Sequence, residues 1–137
     1  YLKGDQAVPE SIAMGNYNMD SHNVQRYASP EGDVQGEGDV QIGVPQPYPI
    51  SYLAIIPKAG ECGNLLVPVC LSAPHVAYGS IRMEPVFMML GQSSGIAAAL
   101  AAQQGKSVQN ISYAALEKKL LSSGQILKLN GLLHHSF

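Results

Sequence analysis

The chain has 137 residues, 46% hydrophobic and 13% charged, with a net charge of -2. Those values suit one folded domain with a modest core and exclude a disordered chain. With 8 Lys and Arg and no basic run, there is no phosphate-tracking surface, which sets nucleic acid aside as a partner.

The chain opens Tyr1-Leu2-Lys3-Gly4-Asp5, without an initiator Met or an apolar run behind a basic segment, as though cut from a longer polypeptide. To about Tyr48 it is rich in Gly, Asn, Asp and Gln, which predicts short strands and loops. Within this part Glu31-Gly32-Asp33-Val34-Gln35-Gly36 is followed by the near-copy Glu37-Gly38-Asp39-Val40-Gln41-Ile42. Two copies cannot build a solenoid, and the Gly-Asp pairs predict turns of a hairpin or meander. The acids do not have the spacing of a calcium-binding EF-hand loop.

Pro45, Pro47 and Pro49 mark an extended connector. The apolar stretch Tyr52–Ile56 then predicts a short strand stopped by Pro57. Leu65–Leu71, apolar without alternation, predicts a strand covered on both faces, with Pro68 as its awkward residue. A loop is expected over Ser72–Ile81. A long helix follows, starting between Arg82 and Glu84 with Pro85 in its first turn and ending at Gly105.

That helix, EPVFMMLGQSSGIAAALAAQQ, is unusual in its many Gly, Ser and Ala residues, which suggests that something approaches it closely. Its apolar run Val86–Ala102 is interrupted by Gln92, Ser93 and Ser94, and a membrane span is not expected. Ser112 predicts the cap of a last helix, Tyr113–Leu121, with Leu116, Leu120 and Leu121 as its apolar stripe and Gly124 beyond its end. No element is predicted for the tail Asn130–Phe137.

Cys62 and Cys70 are too few for a disulfide framework and lack zinc-site spacing. They read as small buried residues, with a bridge, a reactive thiol or a metal set including His75, His134 and His135 as alternatives; no metal site is expected. Asp20-Ser21-His22 is not read as a hydrolase triad, because side chains of adjacent residues seldom converge. A strand, a loop holding Gly79 and Ser80 and then a helix start is the geometry that holds an anion or a polarised carbonyl, and equally that of an ordinary crossover.

The order Tyr48-Pro49-Ile50-Ser51-Tyr52, Ile56-Pro57-Lys58, Asn64-Leu65-Leu66-Val67, Ser72-Ala73-Pro74-His75-Val76-Ala77, Ser80-Ile81-Arg82 and Leu90-Gly91-Gln92-Ser93-Ser94-Gly95-Ile96-Ala97-Ala98-Ala99 resembles the C-terminal portion of FAD-dependent oxidoreductases. More narrowly, it resembles the group with a glutathione-reductase-like flavin fold, some of whose members are named xanthan lyase. The resemblance runs from about Ser11 to Leu127. It implies FAD as cofactor, with Gly79, Ser80, Ile81 and Arg82 near the isoalloxazine ring and ribityl chain. The segment Ser11–His22 resembles the family's substrate-side sheet, which implies that His22 and Arg26 face the substrate; structural hydrogen bonding by the two is the alternative. Ser51 and Leu53 stand where many relatives have Pro and Arg, and Pro68-Val69-Cys70 where Ala-Gly-Arg is frequent. No GxGxxG follows a strand, so the part that cradles a dinucleotide is not in this chain.

The expectation is therefore an α/β chain, α+β as an isolated piece: a mixed sheet of short strands with one long and one shorter helix. It divides into a substrate-side segment 1–48, part of a flavin domain 49–127 and a tail 128–137. Alone it is expected to be inactive, to require the N-terminal FAD-binding half as partner and to form a homo-oligomer. The competing expectation is a self-associating binding or structural module unrelated to flavin.

Overall fold

Antiparallel pairing organises residues 11–51. The structure, a computed structural model, describes residue 2 and residues 7–129. The tail Asn130–Phe137, with His134 and His135, lies outside the described residues. Strand β1 (Ser11–Gly15) pairs antiparallel with β6 (Tyr48–Ser51), which buries Tyr48 and Ile50 in the period-two pattern of a half-covered strand. Between them the chain runs out and back as a ribbon. Here β2 (Met19–Ser21) pairs with β5 (Val40–Ile42) and β3 (Gln25–Ala28) with β4 (Val34–Glu37), both antiparallel. His22–Val24 places three residues opposite Gly38 and Asp39, a bulge that breaks the ribbon in two. An expected hairpin turn falls at Gly32, whereas Gly38 lies at the bulge between β4 and β5; their φ values of 91° and 86° suit glycine. Every residue of β3 and β4 is exposed, and Val24 and Val34 are 73% and 75% accessible.

Helix α1 (His75–Ile81) packs on β2, and α2 (Glu84–Gln104) crosses β1 and meets α3 (Tyr113–Ser122). Ile12, Tyr48, Ile50, Leu90, Leu116 and Leu120 belong to one buried cluster, so strands from before residue 48 and helices from after it share a core. The ends of α2 and α3 follow local chemistry. Gly105 closes α2 in the left-handed region at φ 60°, and Ser112 Oγ accepts from Ala115 N to cap α3. Of the predicted α3 stripe, Leu116 and Leu120 are fully buried, whereas Leu121 faces outward.

One polar residue inside α2, Ser93, has a specific task. The outer edge of β1 has no strand partner among the described residues, and side chains satisfy its carbonyls instead. Ser93 Oγ donates to Ile12 O at 2.8 Å, Gln125 Nε2 donates to the same oxygen at 2.5 Å, and Tyr113 Oη donates to Ser11 O at 2.8 Å. The glycines answer differently. A side chain at Gly91 or Gly95 would meet nothing within 4 Å, and Met88, Gln92, Ala98 and Ala99 are also exposed. The small residues of α2 are thus divided: Ser93, Ser94, Ala97 and Ala101 are buried, whereas Gly95, Ala98 and Ala99 look away from the core. At 21 residues and mean hydropathy 1.4, α2 is long and apolar enough by length and composition to cross a membrane. Its other face, with Val86, Leu90, Ala97 and Leu100, is buried in the core.

Three expected elements are corrected. Tyr52–Ile56 is not a strand: Ser51 Oγ accepts from Leu53 N and starts a 3-10 turn over Tyr52–Ala54. Leu65–Leu71 is not a buried strand either. Pro68 interrupts it, Leu65, Val69 and Cys70 are exposed, and only single bonds such as Val67 N to Ile55 O at 2.8 Å tie it down. The loop expected over Ser72–Ile81 contains α1, because Pro74 starts a helix whose first hydrogen bond is Tyr78 N to Pro74 O at 2.9 Å.

Candidate ligand site between two clefts

Helix α1 shows three faces, set by its 3.6-residue turn. Ser80 points into the core, fully buried. Its Oγ donates to Tyr17 O and shares a 2.5 Å hydrogen bond with Tyr48 Oη. Burial pushes the Tyr48 phenol above its ordinary range, and the bond from Ser80 partly opposes that rise.

Pro74, Ala77 and Ile81 form the second face. With Pro49, Ile50 and Ala54 they line an apolar cleft of about 300 Å³, in which Ser51 and Ser72 are the serine residues. That volume is at the lower end of small-molecule pockets.

His75, Tyr78, Gly79 and Arg82 form the third face, against Asp20, Ser21 and His22 of β2 and its bulge, around a smaller polar cleft of about 130 Å³. Close approach is possible because residue 79 is glycine: a Cβ there would lie 2.5 Å from Asp20 O. Arg82 donates to Asp20 Oδ2 at 3.1 Å, and His75 Nε2 lies 2.8 Å from Ser21 Oγ. The α1 segment therefore stands as a wall between an apolar and a polar cleft.

Of the six residues singled out by the sequence, this arrangement brings His22, Gly79 and Arg82 to the polar cleft, Ile81 to the apolar one and Ser80 to the core tie between them. Arg26 is on the exposed strand β3 and lines neither cleft. Asp20, Ser21 and His75 join the same site, although His75 lies far from the other two in sequence. The signal was present in the seven-residue spacing of His75 and Arg82, which puts both on one helix face once that segment is read as helical. Among the described residues no group of three His, Cys, Asp or Glu is placed to hold a metal ion.

A short helix thus separates an apolar from a polar cleft in a chain of mixed α/β structure. The family comparison is specific: the profile of the FAD dependent oxidoreductase family matches residues 2–120, so the chain belongs to that family. No curated protein and no solved structure matches it.

Flavin is the cofactor this membership implies, and the side chains fit one end of it. The apolar cleft, lined by Pro49, Ile50, Ala54, Ala77 and Ile81, offers the apolar surface that a flavin ring would need. Among the described residues the pyrophosphate has no counterpart: no Lys or Arg of theirs lines that cleft, and α2 begins with the acid Glu84, which repels phosphate. The partnerless buried atoms Ser94 Oγ, Gln109 Oε1 and Gln125 Oε1 do not line the apolar cleft either.

Proposed function

We propose that this chain supplies the ring side and the substrate side of a flavin-dependent oxidoreductase, and that a dinucleotide-binding part packs on it to complete the FAD site. Ile81, Ala77 and Pro74 would hold the isoalloxazine ring in the apolar cleft. His22 and Arg82 would face the substrate across α1, and Arg26 would meet it from the ribbon once the partner is docked. Bound flavin would supply the electron acceptor, while the protein groups orient the substrate and exclude water. The observation that carries this reading is α1 itself, with apolar side chains on one cleft and ionisable ones on the other.

The glutathione-reductase-like arrangement that the sequence resembles gives the face with half-buried Gly91 and exposed Gly95 and Ala98 a use. Without side chains to hold it off, a dinucleotide-binding part can approach the backbone of α2 closely. Without that part, the same face and the exposed valines of the ribbon favour self-association of an inactive chain.

Lumiflavin, which has the ring but no phosphate, separates ring binding from dinucleotide binding. Titrated against the 137-residue chain, lumiflavin and FAD should bind within about threefold of each other, since only the ring finds a site. Ala77→Trp, which fills the apolar cleft, should abolish both. A chain that binds FAD more than tenfold tighter than lumiflavin, or binds neither, would refute the placement.

A further inference from the structure

We infer that the polar cleft between β2 and α1 is a binding site for the carboxylate of a small organic acid. This inference rests on the proposed function, because it names the substrate class for the side of α1 away from the ring. It is carried by side chains from two elements held against each other at Gly79.

The cleft is lined by one arginine, two histidines and one acid. That acid, Asp20, is already engaged by Arg82 through a single contact at 3.1 Å. A guanidinium carries five N–H donors in a planar fork, so most of them stay available for a second, two-pronged partner. The Arg82 side chain is also the more open of the pair, 35% accessible against 23% for Asp20. Donors of Arg82 are therefore within reach of a ligand that enters the cleft.

Ser21 Oγ holds His75 Nε2 at 2.8 Å, which fixes the imidazole and leaves its second ring nitrogen for a ligand. His22 follows Ser21 directly and lines the same space. Size narrows the choice. About 130 Å³ holds roughly four waters at about 30 Å³ each. That is room for a carboxylate and a carbon or two, with the rest of the acid outside. Asp20 competes for the same guanidinium, so a carboxylate alone should bind in the millimolar range.

The test is a heteronuclear NMR titration of the full chain with sodium acetate, following the imidazole signals of His22 and His75 and the Nε–H of Arg82. Sodium chloride and methylammonium chloride at matched ionic strength serve as controls. The inference expects saturable acetate shifts at those three residues, weakened at least about tenfold in Arg82→Gln and in His75→Gln. It expects less than twofold change in Lys118→Gln, on the exposed side of α3. Absence of saturable shifts in the wild-type chain overturns it, as does acetate binding that survives Arg82→Gln, or stronger response to methylammonium than to acetate. Lumiflavin titrated in parallel separates the two claims: ring binding without acetate binding removes only the acid site, and the converse removes only the flavin placement.

Discussion

Replacing Ser80 with Ala tests the hydrogen-bonded core tie that positions α1. The hydroxyl is fully buried, donates to Tyr17 O and shares a hydrogen bond with Tyr48 Oη. Its removal strands two groups, and a buried polar group left without a partner costs about 1–3 kcal/mol. Tyr48 is 2% accessible, so its hydroxyl bears the full cost. The Tyr17 carbonyl is near the surface, since the Tyr17 side chain is exposed, and it recovers part of its loss through water. The sum is about 2–4 kcal/mol, which for a chain of this length lowers Tm by roughly 6–12 °C. Thermal unfolding followed by circular dichroism reads this directly. Tyr48→Phe in the same background removes one stranded group, so the double variant should lose about 1–2 kcal/mol less than the sum of the single ones. A Ser80→Ala shift below about 2 °C would refute the reasoning. If Tm held while flavin binding vanished, Ser80 would be a direct cofactor contact rather than a tie.

Other substitutions separate packing from docking. Gly79→Ala forces a Cβ against Asp20 O and should cost about 1–3 kcal/mol by chemical denaturation. Gly95→Ala, with nothing within 4 Å, should instead stabilise the lone chain by up to about 1 kcal/mol through helix propensity. Gly95→Leu should leave the fold intact and reduce the self-association seen by light scattering, if the α2 face is the contact. In a pH series, burial pushes the phenols of Tyr52 and Tyr113 up to about 12, with Glu10 adding to both and Glu117 adding to Tyr113. Their folded values exceed the unfolded value near 10, so stability from these groups is complete below about pH 10 and lost progressively between 10 and 12. Unfolding midpoints that fall only above pH 12 would contradict this.

What the sequence made legible was the local chemistry. Gly105 and Ser112 announce helix ends because a left-handed cap and a side-chain cap need those residue types wherever they occur. The Gly32-Asp33 turn of the ribbon is local in the same sense. Leu65–Leu71 was misleading because an apolar run reports burial without reporting pairing. Here Pro68 and the absence of a neighbouring strand among the described residues leave it irregular. The site was half legible. The family wording pointed to residues 79–82 and to His22, but the contact between Ser21 and His75 joins positions 54 apart in sequence. Only the packing of α1 on β2 creates that contact. The same packing sorts Gly79, Ser80, Ile81 and Arg82 onto three different faces, where the sequence presented them as one stretch.

The proposed function requires α1 to divide a ring cleft from an acid cleft, and intermolecular NOEs from the ring methyls of bound lumiflavin test that division most directly. The account predicts NOEs to Ala77, Ile81 and Ala54, and none to His75 or Arg82. NOEs to Met88 and Ala98 on the outer face of α2, or to the histidines of the polar cleft, would contradict it.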